Sequence, residues 1–228
     1  MGSDFEVRTL RTRARTSSVF GSNTRQHSMH RIARDNGGMY DAEAMHVQSR
    51  ARSAAVFCAT AEGAKPVYRA VAVELGLTLA ERGIGLIYGG AKIGLMGAVA
   101  DATLAAGGRV VGVIPHVLVD KEIAHDGLSE LHVVDTMHTR KRLMGEKADA
   151  FIALPGGFGT FEELFEVLAW QTLKLHAKPV VLLNVAGFYD PMLTFLDVCE
   201  REGMLRGNRN RLLVATTVEE ALRLACLV

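Results

Sequence analysis

The chain has 228 residues, of which 49% are hydrophobic and 22% are charged, and its formal net charge is +1. This length can bury a full core, whereas no apolar run approaches the roughly 18 to 20 residues that a membrane span requires. The three cysteines form no CxxC pair, which argues against a zinc site or a disulfide framework and favours a reducing, cytoplasmic location.

Residues 1–52 differ in composition from the rest of the chain. They contain nine Arg, no Lys and five acidic residues, a balance of +4, whereas residues 53–228 have a balance of −3. Because residues 1–52 lack apolar periodicity, we predict a flexible Arg-rich arm; an organelle transit peptide is the alternative, which the acidic residues weaken. The acidic balance of residues 53–228 gives no electrostatic reason to expect nucleic-acid binding.

From Ser53 onward, short apolar runs alternate with longer amphipathic segments. In chain order the pattern predicts strand Ala54–Ala59, helix Val67–Arg82, strand Ile84–Tyr88, helix Leu95–Ala106, strand Arg109–Ile114, strand Leu131–Val134, helix Thr136–Lys147, strand Ala150–Leu154, helix Thr160–Leu175, strand Pro179–Leu183, helix Pro191–Glu202, and a last strand and helix within Leu212–Ala225. Such alternation indicates parallel pairing in a sheet that is covered on both faces. The sequence therefore predicts an α/β, Rossmann-like doubly wound parallel sheet with helices on both faces.

A glycine-rich turn, Pro155-Gly156-Gly157-Phe158-Gly159-Thr160, joins the fifth predicted strand to the next helix. The glycines let a ligand approach the backbone closely, and Thr160 is predicted to cap the helix with Glu163 three residues on. The spacing of the apolar residues predicts one buried face on that helix, formed by Leu164, Phe165, Val167, Leu168 and Leu175. Because the start of a helix attracts anions, the turn is a predicted phosphate site.

Two neighbouring carboxylates, Glu162 and Glu163, follow this turn. They point about 100° apart on a helix, so only one of them is expected to reach the ligand. A carboxylate near a helix start and a guanidinium is expected to stay ionised at neutral pH. Such a group suits glycosidic chemistry, because it stabilises an oxocarbenium-like transition state.

Two further segments end at the same predicted edge of the sheet. The turn from Gly89 and Gly90 to Gly97 fits neither GxGxxG nor a P-loop, so NAD and a P-loop mechanism are poor interpretations; ligand contact and simple packing remain equal alternatives for these glycines. Met137-His138-Thr139-Arg140-Lys141 opens a helix, and its Arg suits phosphate or a ribose hydroxyl. The alternative for this segment is a solvated basic turn.

The segments from Pro155 to Glu163 and from Met137 to Lys141 resemble the PGGxGTxxE and MHxRK motifs of the Lonely Guy family, the cytokinin riboside 5'-monophosphate phosphoribohydrolases, long labelled lysine decarboxylase-like. The resemblance covers about Ala54–Leu205. It implies hydrolysis of the N-glycosidic bond of an adenosine 5'-monophosphate, commonly N6-prenylated, by a homodimer that needs no metal or organic cofactor.

The resemblance also implies site residues. Catalysis would fall to Arg140 and Glu163. Substrate contacts carry over to Glu122, Lys141 and the loop of Gly157, Phe158, Gly159 and Thr160. From their places at the same edge of the sheet we further expect contacts from Met137, Glu162, Gly89, Gly90 and Gly156.

The chain departs from the family pattern after its first strand, where Cys58-Ala59-Thr60-Ala61 replaces Cys-Gly-Ser-Ser. This difference leaves the preferred base open, and an AMP nucleosidase without cytokinin preference is an alternative. A non-catalytic carrier of a nucleotide or molybdopterin-type cofactor is another. Amino-acid decarboxylation is disfavoured, because the sequence shows no recognisable pyridoxal-phosphate lysine motif.

Overall fold

A computed structural model of the chain describes Thr9–Leu10, residues 52–119 and residues 124–228. Apart from Thr9, Leu10 and Arg52, the predicted flexible arm lies outside the described residues, as does Glu122. Within these ranges, no helix combines the length and the apolar character needed to cross a membrane.

The described residues form one eight-stranded sheet. Its strands are β1 Thr9–Leu10, β2 Ser53–Phe57, β3 Gly85–Tyr88, β4 Val110–Pro115, β5 Glu130–Val134, β6 Ala150–Ala153, β7 Val180–Leu183 and β8 Leu212–Ala215. They lie in the order β1-β5-β4-β3-β2-β6-β7-β8. Strands β2 to β8 pair in parallel, and β1 pairs antiparallel with β5. The predicted parallel sheet is confirmed.

Helices cover both faces of this sheet. They are α1 Pro66–Glu81, α2 Gly94–Ala105, α3 His116–Val119, α4 Met137–Lys147, α5 Phe158–Thr172, α6 Asp190–Arg201 and α7 Val218–Leu224, with 3-10 turns at Val185–Gly187 and Arg209–Arg211. Helices α1, α2 and α7 pack on one core layer, and α4, α5 and α6 pack on the other. Strands β2, β3, β4, β6 and β7 are buried along their whole length, as their continuous apolar runs predict, whereas β5 and β8 are partly exposed. The doubly wound α/β prediction is therefore confirmed.

Three predictions about α5 are wrong, and one of them is the burial of Phe165, which is 41% exposed. The helix begins at Phe158, with Gly157 as its N-cap residue and no side-chain cap, so Thr160 lies inside the first turn and does not cap it. The glycines allow the chain to enter the helix within the turn itself. The helix also ends at Thr172, and Leu175 is 69% exposed beyond it, because Lys174 adopts a positive φ of 62° that ends the helical path.

The order of the strands creates a switch point between β2 and β6. From β2 the chain builds outward through β3, β4 and β5, and it then returns to place β6 on the other side of β2. The carboxyl ends of β2 and β6 therefore diverge into segments on opposite sides of a crevice. Ligands of open α/β sheets bind in such crevices.

Candidate active site

A cavity of about 390 Å³ lies at this switch point. Its walls come from residues 58–61 after β2 and residues 157–160 after β6, with Met96, Leu118 and Met137 at the sides. Arg140 and Glu163 are the charged residues among its lining residues. The cavity therefore combines backbone from two strand ends, an apolar wall and one pair of opposite charges.

Arg140 is buried at the start of α4. Thr136 caps this helix by accepting a hydrogen bond from the Thr139 amide at 3.1 Å. The Arg140 Nε donates to the Val113 carbonyl at 3.1 Å, and Nη2 donates to the Gly89 carbonyl at 3.3 Å. Because two backbone carbonyls bind its planar fork, the guanidinium has a fixed orientation in the cavity.

Glu163 is buried in α5 and faces the same cavity. Its Oε1 lies 3.8 Å from Arg140 Nη2. This separation exceeds that of a hydrogen bond, so the two groups interact through their opposite charges. The arrangement places a carboxyl group and a guanidinium group side by side in the lining of the cavity.

The first turn of α5 forms the wall opposite Arg140. The first helical hydrogen bond runs from the Phe161 amide to the Gly157 carbonyl at 3.0 Å, so the amides of Phe158, Gly159 and Thr160 precede the helical ladder. Amides at this position, with the positive end of the helix dipole, suit a phosphate group. Gly156 lies beneath them, where a Cβ would overlap the buried Thr160 side chain.

Lys141 and Glu162 do not line the cavity. Lys141 Nζ donates a hydrogen bond to Glu162 and lies 3.0 Å from Glu166 Oε2. Burial lowers the pKa of Lys141, but the two carboxylates outweigh this effect and leave the pKa above its ordinary value. The expected substrate contacts of Lys141 and Glu162 stay predictions.

The remaining predicted contacts have different positions. Met137, Gly157, Phe158, Gly159 and Thr160 line the cavity, and the Phe158 side chain is 93% exposed at its rim. Gly89 contributes its carbonyl to Arg140, whereas Gly90 packs against Ile114 and Leu131, and its carbonyl accepts from the His125 amide at 2.9 Å. Gly90 and Gly156 are not among the residues that line the cavity.

Sequence reasoning missed part of the cavity wall. Leu118 belongs to the unpredicted helix α3, and Met96 belongs to α2. Cys58 was noticed only as part of a departure from the family pattern. Burial raises the pKa of the Cys58 thiol, and the Glu163 charge raises it further, so the thiol stays protonated at neutral pH. An apolar residue just after a strand of a parallel sheet was the signal available for Leu118.

Comparison with known proteins places these residues in a family. A family model described as "Possible lysine decarboxylase" matches residues 96–225. The cytokinin riboside 5'-monophosphate phosphoribohydrolase LOG of Oryza sativa subsp. japonica is 48% identical over 175 residues, which are 77% of this chain and 72% of that protein. LOG2 of Arabidopsis thaliana, which has the same enzyme name, is 48% identical over 168 residues, 74% of this chain and 79% of that protein.

A solved structure shares the fold. The molybdenum cofactor carrier protein of Chlamydomonas reinhardtii matches with a TM-score of 0.59 and 23% identity, over 78% of this chain and 100% of that chain. At this identity the match supports the architecture alone. The family follows from the sequence matches, and the chain belongs to the Lonely Guy family of cytokinin riboside 5'-monophosphate phosphoribohydrolases.

Proposed function

We propose that this protein hydrolyses the N-glycosidic bond of N6-modified adenosine 5'-monophosphates, releasing the free base and ribose 5-phosphate. The observation that carries the proposal is the buried pair of Arg140 and Glu163 beside the first turn of α5. The names of relatives that are 48% identical support the same reaction.

The chemistry follows from the geometry of the cavity. The amides of the first turn of α5 bind the 5'-phosphate, which brings C1' towards Glu163. The carboxylate stabilises positive charge on the ribose ring and accepts a proton from water. As the oxygen of water bonds to C1', the C1'–N9 bond breaks and its electron pair goes to the departing base. The proton that water loses to the carboxylate balances the proton that the free base gains, so no net proton is taken up or released.

Arg140 complements this carboxylate. Its guanidinium is held by the Val113 and Gly89 carbonyls, so it does not need to reorganise during the reaction. Its fixed positive charge lies 3.8 Å from the Glu163 carboxyl group and offers a donor to the phosphoribosyl group. The pair thus supplies a base and a positioned cation without a cofactor.

The test is release of base from N6-isopentenyladenosine monophosphate by the wild-type protein and by Glu163→Gln. We expect Glu163→Gln to lower kcat by about 10² to 10⁴, because the amide neither accepts the proton nor carries the charge. Glu146→Gln is the control, since Glu146 forms an exposed ion pair with Arg142 on α4. A Glu163→Gln enzyme as fast as the wild type would disprove the proposed role.

An AMP nucleosidase without cytokinin preference is the nearest alternative. The apolar side chains of Met96, Leu118, Met137 and Phe158 around the cavity favour a base with an apolar substituent. The ratio of kcat/KM for isopentenyl-AMP to that for AMP separates the two functions. A carrier function predicts tight nucleotide binding with no release of base from either nucleotide.

We also propose a homodimer in the cytoplasm. The outer face of α5 bears exposed Phe165 beside an apolar groove of about 210 Å³ with Leu168, Leu196, Leu205 and Leu212. A second copy that covers this groove would remove apolar surface from water. The free thiols of Cys58, Cys199 and Cys226 are consistent with a reducing compartment.

A further inference from the structure

The residues next to the reacting pair form an ion cluster of their own, outside the cavity. Lys141 follows Arg140 on α4, and Glu162 precedes Glu163 on α5. The Lys141 side chain is only 10% exposed, and its ammonium group contacts Glu162 and lies 3.0 Å from Glu166 Oε2. The motif residues that flank the reacting pair thus bind to one another.

This cluster links two helices that approach the cavity from different strands. Helix α4 follows β5 and α5 follows β6, and three other strands separate β5 from β6 in the sheet. Arg140 and Glu163 are not joined by a hydrogen bond, since 3.8 Å separates Nη2 from Oε1. Their separation therefore depends on how α4 and α5 are held together.

The charge and the burial of Lys141 are those expected of a residue that links α4 to α5. An ammonium group that loses most of its hydration needs close anionic partners, and Lys141 has two of them. The net effect of these carboxylates raises the pKa of Lys141, so the ammonium stays charged at neutral pH. The Glu166 side chain is only 18% exposed, so its ion pair with Lys141 is screened less than a surface pair, whereas Glu162 is half exposed.

We propose that Lys141 is a positioning residue, which clamps α4 to α5 through Glu162 and Glu166 and thereby sets the Arg140–Glu163 distance, instead of binding the substrate. This inference rests on the proposed hydrolysis and deepens it. It also assigns Glu166 a role in the reaction, although Glu166 does not line the cavity.

The test separates the effects on kcat and KM in Lys141→Met. A misplaced reacting pair lowers kcat, and we expect a loss of about 10- to 100-fold, since a displacement of 1 Å costs up to that much. We expect KM and the inhibition constant of ribose 5-phosphate to stay within about threefold, because the phosphate amides of α5 are intact. Lys141→Arg keeps the charge and should keep most of the activity.

Glu166→Gln provides the second, independent variant. If Lys141 acts through Glu166, the two substitutions share one effect, and the double variant should be no slower than Lys141→Met alone. Arg142→Met with Glu146→Gln is the matched control, because it removes an exposed ion pair from the same helix α4. This control should leave kcat and KM unchanged.

Two outcomes would overturn the clamp. One is an increase of KM or of the ribose 5-phosphate inhibition constant by tenfold or more with kcat preserved, which would mean that Lys141 contacts the phosphate. The other is a Glu166→Gln enzyme with wild-type kcat. The kcat and KM of each variant are compared with those of the wild-type enzyme. Failure of the proposed function would instead appear as no release of base by the wild type itself.

Discussion

At the scale of single residues, Arg140 shows how burial selects an orientation. A charged guanidinium without partners would be costly to bury, but backbone carbonyls from β4 and from the turn after β3 receive two of its donors. Lysine offers one ammonium in place of this planar fork, so it could not hold both carbonyls in the same plane. The arginine is therefore suited to its position by shape as well as by charge.

Gly89 belongs to the same arrangement. A Cβ at this position would overlap Arg140 Nη2 and lie 3.1 Å from Met96 Sδ. We expect Gly89→Ala to move the guanidinium away from Glu163 and to lower kcat by about 10- to 100-fold, with little loss of expression. Steady-state kinetics with isopentenyl-AMP measures this effect.

The control for Gly89→Ala is Gly145→Ala on α4. A Cβ at Gly145 would lie 3.5 Å from the nearest atom, in Trp170, which is an ordinary contact. Because Ala also favours the helix, this variant should be as active as the wild type and slightly more stable. Equal activity of Gly89→Ala and the wild type would show that the Arg140 position tolerates displacement.

At the scale of elements, the start of α5 determines which groups face the ligand. A threonine cap would have used one of the free amides of the first turn. The glycine start leaves the amides of Phe158, Gly159 and Thr160 ahead of the helical ladder, on the cavity side. The helix therefore presents its backbone amides to the cavity, and the Thr160 side chain packs against Gly156.

The His176 side chain forms hydrogen bonds with α5 and with the segment that leads into β7. Its Nε2 lies 2.9 Å from the Val167 carbonyl, and its Nδ1 accepts the Lys178 amide at 3.1 Å. These partners require the neutral ring with its proton on Nε2. Burial lowers the pKa of His176, and the Lys178 charge lowers it further against the opposing effect of the Val167 bond.

This geometry predicts acid sensitivity. A folded-state pKa below about 6.5 means that the unfolded chain binds a proton first, so the free energy of unfolding falls as pH falls below about 6.5. We expect His176→Gln to be less stable at pH 7 but to lose less stability between pH 7 and pH 5. Denaturant unfolding at both pH values measures this difference.

A second histidine also makes the free energy of unfolding fall as the pH falls. Burial lowers the pKa of His132 in β5, and the Lys147 charge contributes to the decrease. The double variant His132→Gln/His176→Gln should therefore show a smaller pH slope than either single variant. Identical slopes for the wild type and His176→Gln would contradict the role assigned to this ring.

At the scale of the whole molecule, the two faces of the sheet differ in their outer surfaces. On the α5 and α6 side, Phe165 is 41% exposed beside the apolar groove, and Phe195 is more exposed still. An apolar groove with exposed aromatic side chains is typical of an interface. The homodimer proposed above would use this side.

The expected effect of Phe165→Asp is dissociation into monomers, because the dimer would otherwise bury a carboxylate among apolar side chains. Light scattering coupled to size-exclusion chromatography measures the mass. Val67→Asp is the control, since it replaces an equally exposed apolar residue in the first turn of α1, on the opposite face of the sheet. A Phe165→Asp protein that keeps the wild-type mass would place the interface elsewhere.

The amino-acid sequence by itself determined the α/β class, the family and the positions of most elements after Ser53. The signals for these features are local, because each can be read from one short stretch of sequence. They are the apolar periodicity, the glycines that end helices, such as Gly83 and Gly107, and the two motifs. For this reason the two motifs alone, through their resemblance to the family pattern, mark Arg140 and Glu163 as the candidate catalytic residues.

Only the tertiary structure decided which neighbours of that pair face the cavity. Lys141 and Glu162 lie in the same motifs as Arg140 and Glu163, yet they pair with each other, and Leu118 and Met96 line the cavity from outside the two motifs. Contacts between α4 and α5 depend on strand order and on the crossing of helices, which residue spacing does not encode. The start of α5 was mispredicted for a related reason, because glycine permits several helix starts and packing selects one of them.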